Sequence, residues 1–279
     1  MKYLLVFFLS CFTTLTFGQN ISCSPKDAKA FSAKVSEIQK LKKVDEFGIY
    51  LSQIGRTFLS IPYVAKTLEI GETESLVVNL HGLDCTTFVE NVLAFGLIFE
   101  SDSTDFYSFT KALEKIRYRD GKLNGYPSRL HYFSEWITNN EKKGLVKSIT
   151  SDIGGKPLKK AINFMGTHRN LYPFLKNDEH FKKIKETEAT LITNELCILP
   201  QNQIEAQEHL IKSGDIIAMA TSIKGLDVTH TGIAIEHKGR IHLLHASTGS
   251  NMVEISKLPL ADYIKKIKNN TGIMVARPL

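Results

Sequence analysis

The sequence has no excess of glycine or proline, no sustained heptad run, and no long apolar stretch beyond its first residues. Each shortage excludes something. Gly 18 and Pro 8 in 279 residues rule out collagen-like and disordered chains, and the missing heptads rule out a coiled coil. A membrane span needs roughly 20 consecutive apolar residues, so none is expected. Charge of one sign is also scarce. Lys+Arg 35 against Asp+Glu 29 leaves +6, too small and too dispersed for a nucleic-acid partner, and it suits solubility or a carboxylate-bearing substrate equally. There is no CxxC, HxxxH or HExxH spacing, so neither a metal nor any other cofactor is indicated. GxSxG and a Gly-rich phosphate loop are absent too, so a serine triad is not indicated.

What is present is enough apolar sequence, 43%, for a real core. Met1-Lys2, the apolar run Tyr3 to Leu9 and the small residues up to Gly18 read as a secretory signal peptide over 1–18. The mature protein is then expected to be exported and soluble, as one domain over 19–279. Cys11 sits early and is followed by more apolar sequence, which argues against a lipid anchor there. Cys23, Cys85 and Cys197 remain. Three is odd, so one thiol stays free unless the protein dimerises through it. Cys23 and Cys197 could pair in an oxidising compartment, or all three could stay reduced.

Apolar spacing predicts two helices within 26–60, extended chain and loop over 61–82, a helix over 86–99 and another near 109–117. Tyr126-Pro127-Ser128 opens a further helix carrying Leu130, Phe133, Trp136 and Ile137 on one face, with Trp136 as core. After Lys212 the pattern changes to strands at 216–219, 228–236, 240–247, 252–255 and 272–278, with a short helix at 260–267. The fold class is α+β: a helical first part packed on an antiparallel sheet, with a long helical insertion at about 100–205.

Chemistry concentrates at two places. Asp84 is a good N-cap, and it places Cys85 in the first turn of an apolar helix. Helix-terminal amides favour a thiolate there and can bind a developing oxyanion. In the second half, a two-residue loop at Lys238-Gly239 sets Gly232 opposite His245 and His230 opposite Ser247. His230 and His245 then share one sheet face, with Gly232 leaving space between them. Ile233, Ile235 and Leu244 go to the other face. His242 also falls there, and His237 lies in the turn. This is the geometry of a cysteine hydrolase: Cys85 nucleophile, His230 general base, His245 orienting residue. The same three side chains could ligate zinc, but without a ligand spacing to support it.

Taken in order, Pro62-Tyr63-Val64, Asp84-Cys85-Thr86-Thr87-Phe88, Gly214-Asp215-Ile216, His230-Thr231-Gly232-Ile233, His245 and Arg277-Pro278 resemble the NlpC-type papain-like cell-wall hydrolases. The likeness covers about 58–98 and 210–279. Thr86-Thr87 after the cysteine, the long insertion, Thr67-Leu68-Glu69 and Ser128 to Phe133 are similar to the N-acetylmuramoyl-L-alanine amidase-like branch. The resemblance implies a papain-like fold, a peptidoglycan or muropeptide substrate, periplasmic location and cleavage of the N-acetylmuramoyl–L-alanine amide. The alternatives are an endopeptidase cutting D-glutamyl–diamino acid bonds, or a non-catalytic peptidoglycan-binding module. It further implies that Tyr63 lines the cleft near the oxyanion and that Asp84 is a cap or a contact for the substrate amine. Arg129, His131 and Tyr132 would bind muropeptide carboxylates or sugar, or else form a solvated helix end.

Overall fold

The computed structural model describes residues 20–192 and 195–279. The apolar leader over 1–18, with Cys11, lies outside the described residues. The chain runs β1 (Ile21–Cys23), α1 (Pro25–Ile38), α2 (Phe47–Arg56), β2 (Leu76–Val78), α3 (Cys85–Glu100), α4 (Phe106–Arg117) and α5 (Phe133–Lys142). There follow β3 (Val146–Ser148), β4 (Lys156–Leu158), α6 (Phe164–Thr167), α7 (Asp178–Ile192), β5 (Leu196–Pro200) and α8 (Ile204–Gln207). The last third holds β6 (Ile216–Thr221), β7 (Val228–His237), β8 (Arg240–Ser247), β9 (Met252–Ile255), α9 (Leu260–Lys265) and β10 (Asn270–Pro278). The main sheet has the order β4-β5-β10-β6-β7-β8-β9, with β3 also beside β10, and its pairings are antiparallel. β1 and β2 form a separate parallel pair. Helices and an antiparallel sheet thus make an α+β fold.

Alternation along the strands divides the sheet into two faces, each with its own core. Ile216, Ala218, Ile233, Ile235, Leu244 and Ala246 face α3 and the first helices. Ile217, Met219, Ala234, Ile241 and Leu243 face Leu260, Ala261 and Ile264 of α9. The helix α3 is apolar nearly all round, and such a helix must be enclosed. Phe88, Val89, Val92, Leu93 and Phe95 are fully buried, each contributing about 1.5–3 kcal/mol. Gly96 lets α2 approach: a β-carbon there would come within 2.6 Å of Leu51 Cδ1.

The β7–β8 hairpin has the expected register. His237 pairs with Arg240 and Ile233 with Leu244. Lys238 and Gly239 both take positive φ, 53° and 76°, as a type I′ turn requires. Gly232 serves a different end from the one expected. A β-carbon there would lie 2.8 Å from the Leu244 carbonyl oxygen, so the glycine admits the β8 backbone.

Two expectations need correction. The helix read from Tyr126 begins only at Phe133, because Tyr126–Ser128 is a single 3-10 turn. The chain after it is pinned in extended form by the Tyr118–Arg129 bridge and the Leu130 N–H bond to the Arg117 carbonyl. The segment 100–205 is not helical throughout, since it also supplies β3, β4 and β5. Of the two states left open for Cys23 and Cys197, the structure has the reduced one: they stand in different sheets, and both are free thiols. Trp136 is fully buried and stacked on Phe133, as core.

A buried ion pair fastens the helical layer. Arg117 Nε donates to Glu90 Oε2 at 2.7 Å, and Arg117 Nη1 donates to the Val77 carbonyl at 2.7 Å. Both charged side chains are 2% exposed. Replacing Arg117 with Met leaves the Glu90 charge buried without its partner, and such a loss costs about 3–5 kcal/mol. A urea titration should show a correspondingly lower unfolding midpoint, with an unchanged slope.

Candidate active site

Asp84 ends the loop before α3 with extended backbone, and its side chain accepts from the Thr87 N–H at 2.8 Å. The Thr87 hydroxyl returns a bond from the Asp84 N–H at 2.9 Å, closing a capping box. Of the two roles open for Asp84, the structure shows the cap. Cys85 is therefore the first residue of the helix and is half-buried. Among the described residues the Cys85 and Thr86 N–H groups have no hydrogen-bond acceptor. They are two of the orphan donors that every helix start leaves.

The electrostatics of that sulfur differ from the sequence expectation. Burial and the adjacent Asp84 carboxylate push the Cys85 thiol up. Contacts from the Thr231 N–H and hydroxyl and the Thr86 hydroxyl pull the other way and do not overcome them. The helix terminus is insufficient because the residue that caps it is itself an anion beside the thiol. Burial, with the charges of Cys85 and Asp84, raises the Tyr63 pKa, so the phenol keeps its proton. Its backbone is held by its N–H bond to the Asn251 carbonyl at 2.9 Å and by a bridge to Leu83.

His230 and His245 meet, with His230 Nε2 2.6 Å from His245 Nδ1 and the rings nearly perpendicular. His230 pairs with Met219 across the sheet, so the pair lies on the face that α9 covers. The Tyr263 ring of α9 stands 5.3 Å from His245, centroid to centroid. His245 is fully buried and His230 half-buried; among the described residues His245 Nε2 has no hydrogen-bond partner and His230 Nδ1 is unengaged. Burial lowers the His230 pKa to about 4; burial and the His230 charge lower that of His245 to about 3. At neutral pH the site therefore holds a thiol and two neutral imidazoles. No hydrogen bond joins Cys85 to His230 among the described residues; the sulfur's neighbour on β7 is Thr231, the next residue along.

The remaining predicted positions divide. Beside the first turns of α3 a cavity of about 240 Å³ is lined by Lys66, Asp84, Thr86, Arg129, His131 and Tyr172, among others. Arg129 and His131 thus border the cleft, yet neither ends a solvated helix. Arg129 is buried, paired with Glu69, 3.7 Å from Glu74 and stacked over Tyr126. Its charge is already compensated by protein carboxylates. His131 Nε2 sits 2.9 Å from the Tyr126 carbonyl oxygen, and burial with the nearby Arg129 holds it neutral. Tyr132 faces the interior instead: its hydroxyl donates to Glu188 at 2.8 Å and accepts from the Met165 N–H. The cause is the extended run 129–132, which turns successive side chains in opposite directions, where a helix would have gathered them. His242 is buried, with Nδ1 2.7 Å from the Ser256 carbonyl oxygen.

Sequence reasoning missed Thr231 and Tyr263. The signal for Thr231 was available: the alternation that unites His230 with His245 sends the residue between His230 and Gly232 to the α3 face. A larger cavity of about 450 Å³ includes Glu135, Thr138, Leu196 and Cys197 but none of the predicted site residues. Among the described residues no three or more His, Cys, Asp and Glu side chains gather as a metal site.

A family model described as AmiA-like, N-acetylmuramoyl-L-alanine amidase-like, matches residues 53–273. The chain is similar to an N-acetylmuramoyl-L-alanine amidase from Bacteroides uniformis at 40% identity and TM-score 0.80, covering 83% of this chain and 98% of that one. It is similar to a Bacteroides fragilis structure described as a candidate xylanase at 42% identity and TM-score 0.75, covering 80% and 98%. A Legionella pneumophila protein, 22% identical with TM-score 0.67 over 91% and 95%, shares the fold. No curated protein matches.

The depressed imidazole pKa values set a pH dependence of stability. In the unfolded chain a histidine takes up its proton near pH 6.5; in the folded chain His230 and His245 do so only near 4 and 3. Between those values the unfolded state binds more protons, so stability falls as pH falls. The melting temperature should drop from pH 7 to pH 4, less steeply in His245→Gln. Imidazole Cε1–H resonances of both residues should hold their neutral positions down to pH 5; movement near pH 6.5 would contradict the burial argument.

Proposed function

The chain belongs to the N-acetylmuramoyl-L-alanine amidase-like family, and from that premise we propose that it is a cysteine-dependent amidase hydrolysing the bond between N-acetylmuramic acid and L-alanine in peptidoglycan or its fragments. The observation that carries this reading is the placement of Cys85 at a helix start with unengaged amides, alongside a strand whose His230 is hydrogen-bonded to His245. We read the arrangement as NlpC-type and papain-like, within one catalytic domain over 19–279, exported to the compartment that holds peptidoglycan.

The proposed reaction is acyl transfer from the lactyl carbonyl. With the thiol neutral at rest, deprotonation accompanies attack: the sulfur bonds to the carbonyl carbon and His230 Nδ1 receives the proton. For Nδ1 to be basic, His230 must carry its hydrogen on Nε2 and donate it to His245 Nδ1, which is the bond the 2.6 Å contact permits. The oxyanion is met by the Cys85 and Thr86 amides, with the protonated Tyr63 phenol as a further donor. Protonated His230 then gives its proton to the departing alanine nitrogen. Water, losing a proton to His230, releases the muramoyl carboxylate and restores the thiol.

The description of one relative as a candidate xylanase raises a glycosidase reading. Glycoside hydrolysis needs two carboxyl groups free to flank one bond. The carboxylates around this cleft are committed: Asp84 caps α3, Glu69 pairs with Arg129 and Glu90 pairs with Arg117. The site therefore favours amide chemistry.

Purified sacculi and soluble muropeptides digested with the enzyme should yield stem peptides beginning with L-alanine and sugars freed of peptide, as identified by mass spectrometry. Fragments beginning with a diamino acid would instead indicate an endopeptidase. Cys85→Ala should abolish release, and His230→Ala should lower the rate by about 10²–10⁴-fold. His245→Ala should cost less than His230→Ala. Unchanged release by Cys85→Ala would sink the proposal.

A further inference from the structure

We propose that Asp27 is a positioning residue for the reaction: from the first turn of α1 its carboxylate holds the loop before α3 at Leu80 and His81, and so fixes where Cys85 stands relative to Tyr63. The inference rests on the reading of Cys85 as nucleophile. Core packing fixes α3 from Phe88 onwards, but helix ends fray, so the first turn depends on the chain that leads into it. Within that chain, 79–84, Asn79 Oδ1 accepts from the His81 N–H at 3.2 Å and the Gly82 N–H at 3.0 Å, folding the turn on itself. The Leu83 N–H donates to the Pro62 carbonyl at 3.0 Å, Leu83 bridges Tyr63, and Asp84 caps the helix. A displacement of 80–83 is therefore passed to the Cys85 turn on one side and to Tyr63 on the other.

Asp27 grips that loop from outside it. The side chain is buried; its Oδ1 accepts from the Leu80 N–H at 3.0 Å and lies 2.6 Å from His81 Nδ1, and the Ser24 hydroxyl donates to its Oδ2. An ionised carboxylate only accepts, so it sets the His81 hydrogen on Nδ1. Burial opposes the Asp27 charge, yet Ser24, Leu80 and His81 together outweigh it and hold the carboxyl below its ordinary range. The bonds are therefore charge-assisted, roughly twice as strong as neutral ones. Burying a charge is costly, and α1 already has Ser24 as its N-cap, so the helix alone gives little reason for a carboxylate here. What the charge secures is a loop 53 residues further on. The same N-terminal segment also pairs β1 with β2, whose last residue, Val78, runs directly into Asn79. Two attachments from one segment thus hold one run of chain, 76–81. Ser24 and Asp27 lie ahead of residues 53–273, which the family model matches, so this anchor is not part of what the family match describes.

The test joins amide hydrogen exchange, which needs no turnover, to steady-state hydrolysis of muropeptides. The Leu83, Asp84 and Thr87 N–H groups bond to Pro62, Thr87 and Asp84, not to Asp27. In Asp27→Ala all three should nevertheless exchange about tenfold faster by NMR, with the amides of β7 unchanged. A misplacement of about 1 Å can cost about 10²-fold in rate, so kcat should fall by about that factor with KM within about twofold. A role in folding alone would lower the melting temperature and leave kcat of the folded enzyme unchanged. Asp27→Asn keeps Oδ1 as acceptor for Leu80 and His81 and should retain kcat within about threefold. If circular dichroism shows Asp27→Ala unfolded, His81→Ala, which removes only the imidazole end of the anchor, is read in its place, with about tenfold loss of kcat. Unchanged exchange at the three amides, wild-type kcat in Asp27→Ala, or equal losses in Asp27→Asn and Asp27→Ala each overturn the proposal. A wild-type enzyme that releases nothing from any muropeptide fails the amidase reading instead, and the exchange result alone then decides whether Asp27 fixes the loop.

Discussion

The packing of α3 across β7 and β8 determines where Cys85 can be. A helix buried on nearly every side has no freedom to rotate or slide, since Phe88, Val92 and Phe95 each fill a fixed space in the core. Gly96 against Leu51 sets how closely α2 approaches from behind. At the other end the capping box stops the helix at Asp84, so the first-turn amides are left open at one defined point. Rigid secondary structure holds a reactive group more closely than a loop can. Here the sulfur's position follows from core packing and one cap, not from contacts made by the sulfur itself.

The sheet supplies the partners through the same constraint seen from its other side. Because successive residues of a strand point to opposite faces, β7 cannot send both His230 and Thr231 to the same place. The imidazole goes to the α9 face, where β8 brings His245 against it; the hydroxyl goes to the α3 face, under the helix that carries Cys85. A two-residue turn with both φ angles positive locks the register. A slip of one residue would exchange the faces and separate the histidines.

These relations differ in how far the amino-acid sequence exposes them. The hairpin was legible because period-two alternation and a Lys-Gly turn leave a single register that buries Ile233, Ile235 and Leu244 together. The start of α3 was legible because Asp84 precedes an apolar run. The strands β3 and β4 were not: they are three residues each and mostly exposed, so no alternation develops. Arg129, His131 and Tyr132 were misplaced because Tyr126-Pro127-Ser128 carries a true helix-start signal that yields only one 3-10 turn. What ends that turn is a backbone bond to Arg117, remote in sequence and invisible to local pattern. Burial depth was equally hidden, and with it the sign of the thiol shift.

That sign decides which form of the proposed cysteine chemistry the site would favour. A thiolate–imidazolium pair at rest requires the charged forms to outlast their desolvation, which an exposed and well-solvated pair can do. Here His245 is fully enclosed and His230 half-enclosed, so a proton on either is opposed by burial, and a proton on His245 also by its neighbour. Asp84 adds to the imbalance. Asparagine caps a helix about as well as aspartate without placing an anion beside the sulfur, so the charge at this cap serves the helix dipole at the expense of the thiolate. With both partners held neutral, charge separation belongs to the proposed transition state and not to the resting site. In the proposed mechanism, groups that respond only to developing charge, such as the first-turn amides, would contribute to rate without stabilising the ground state.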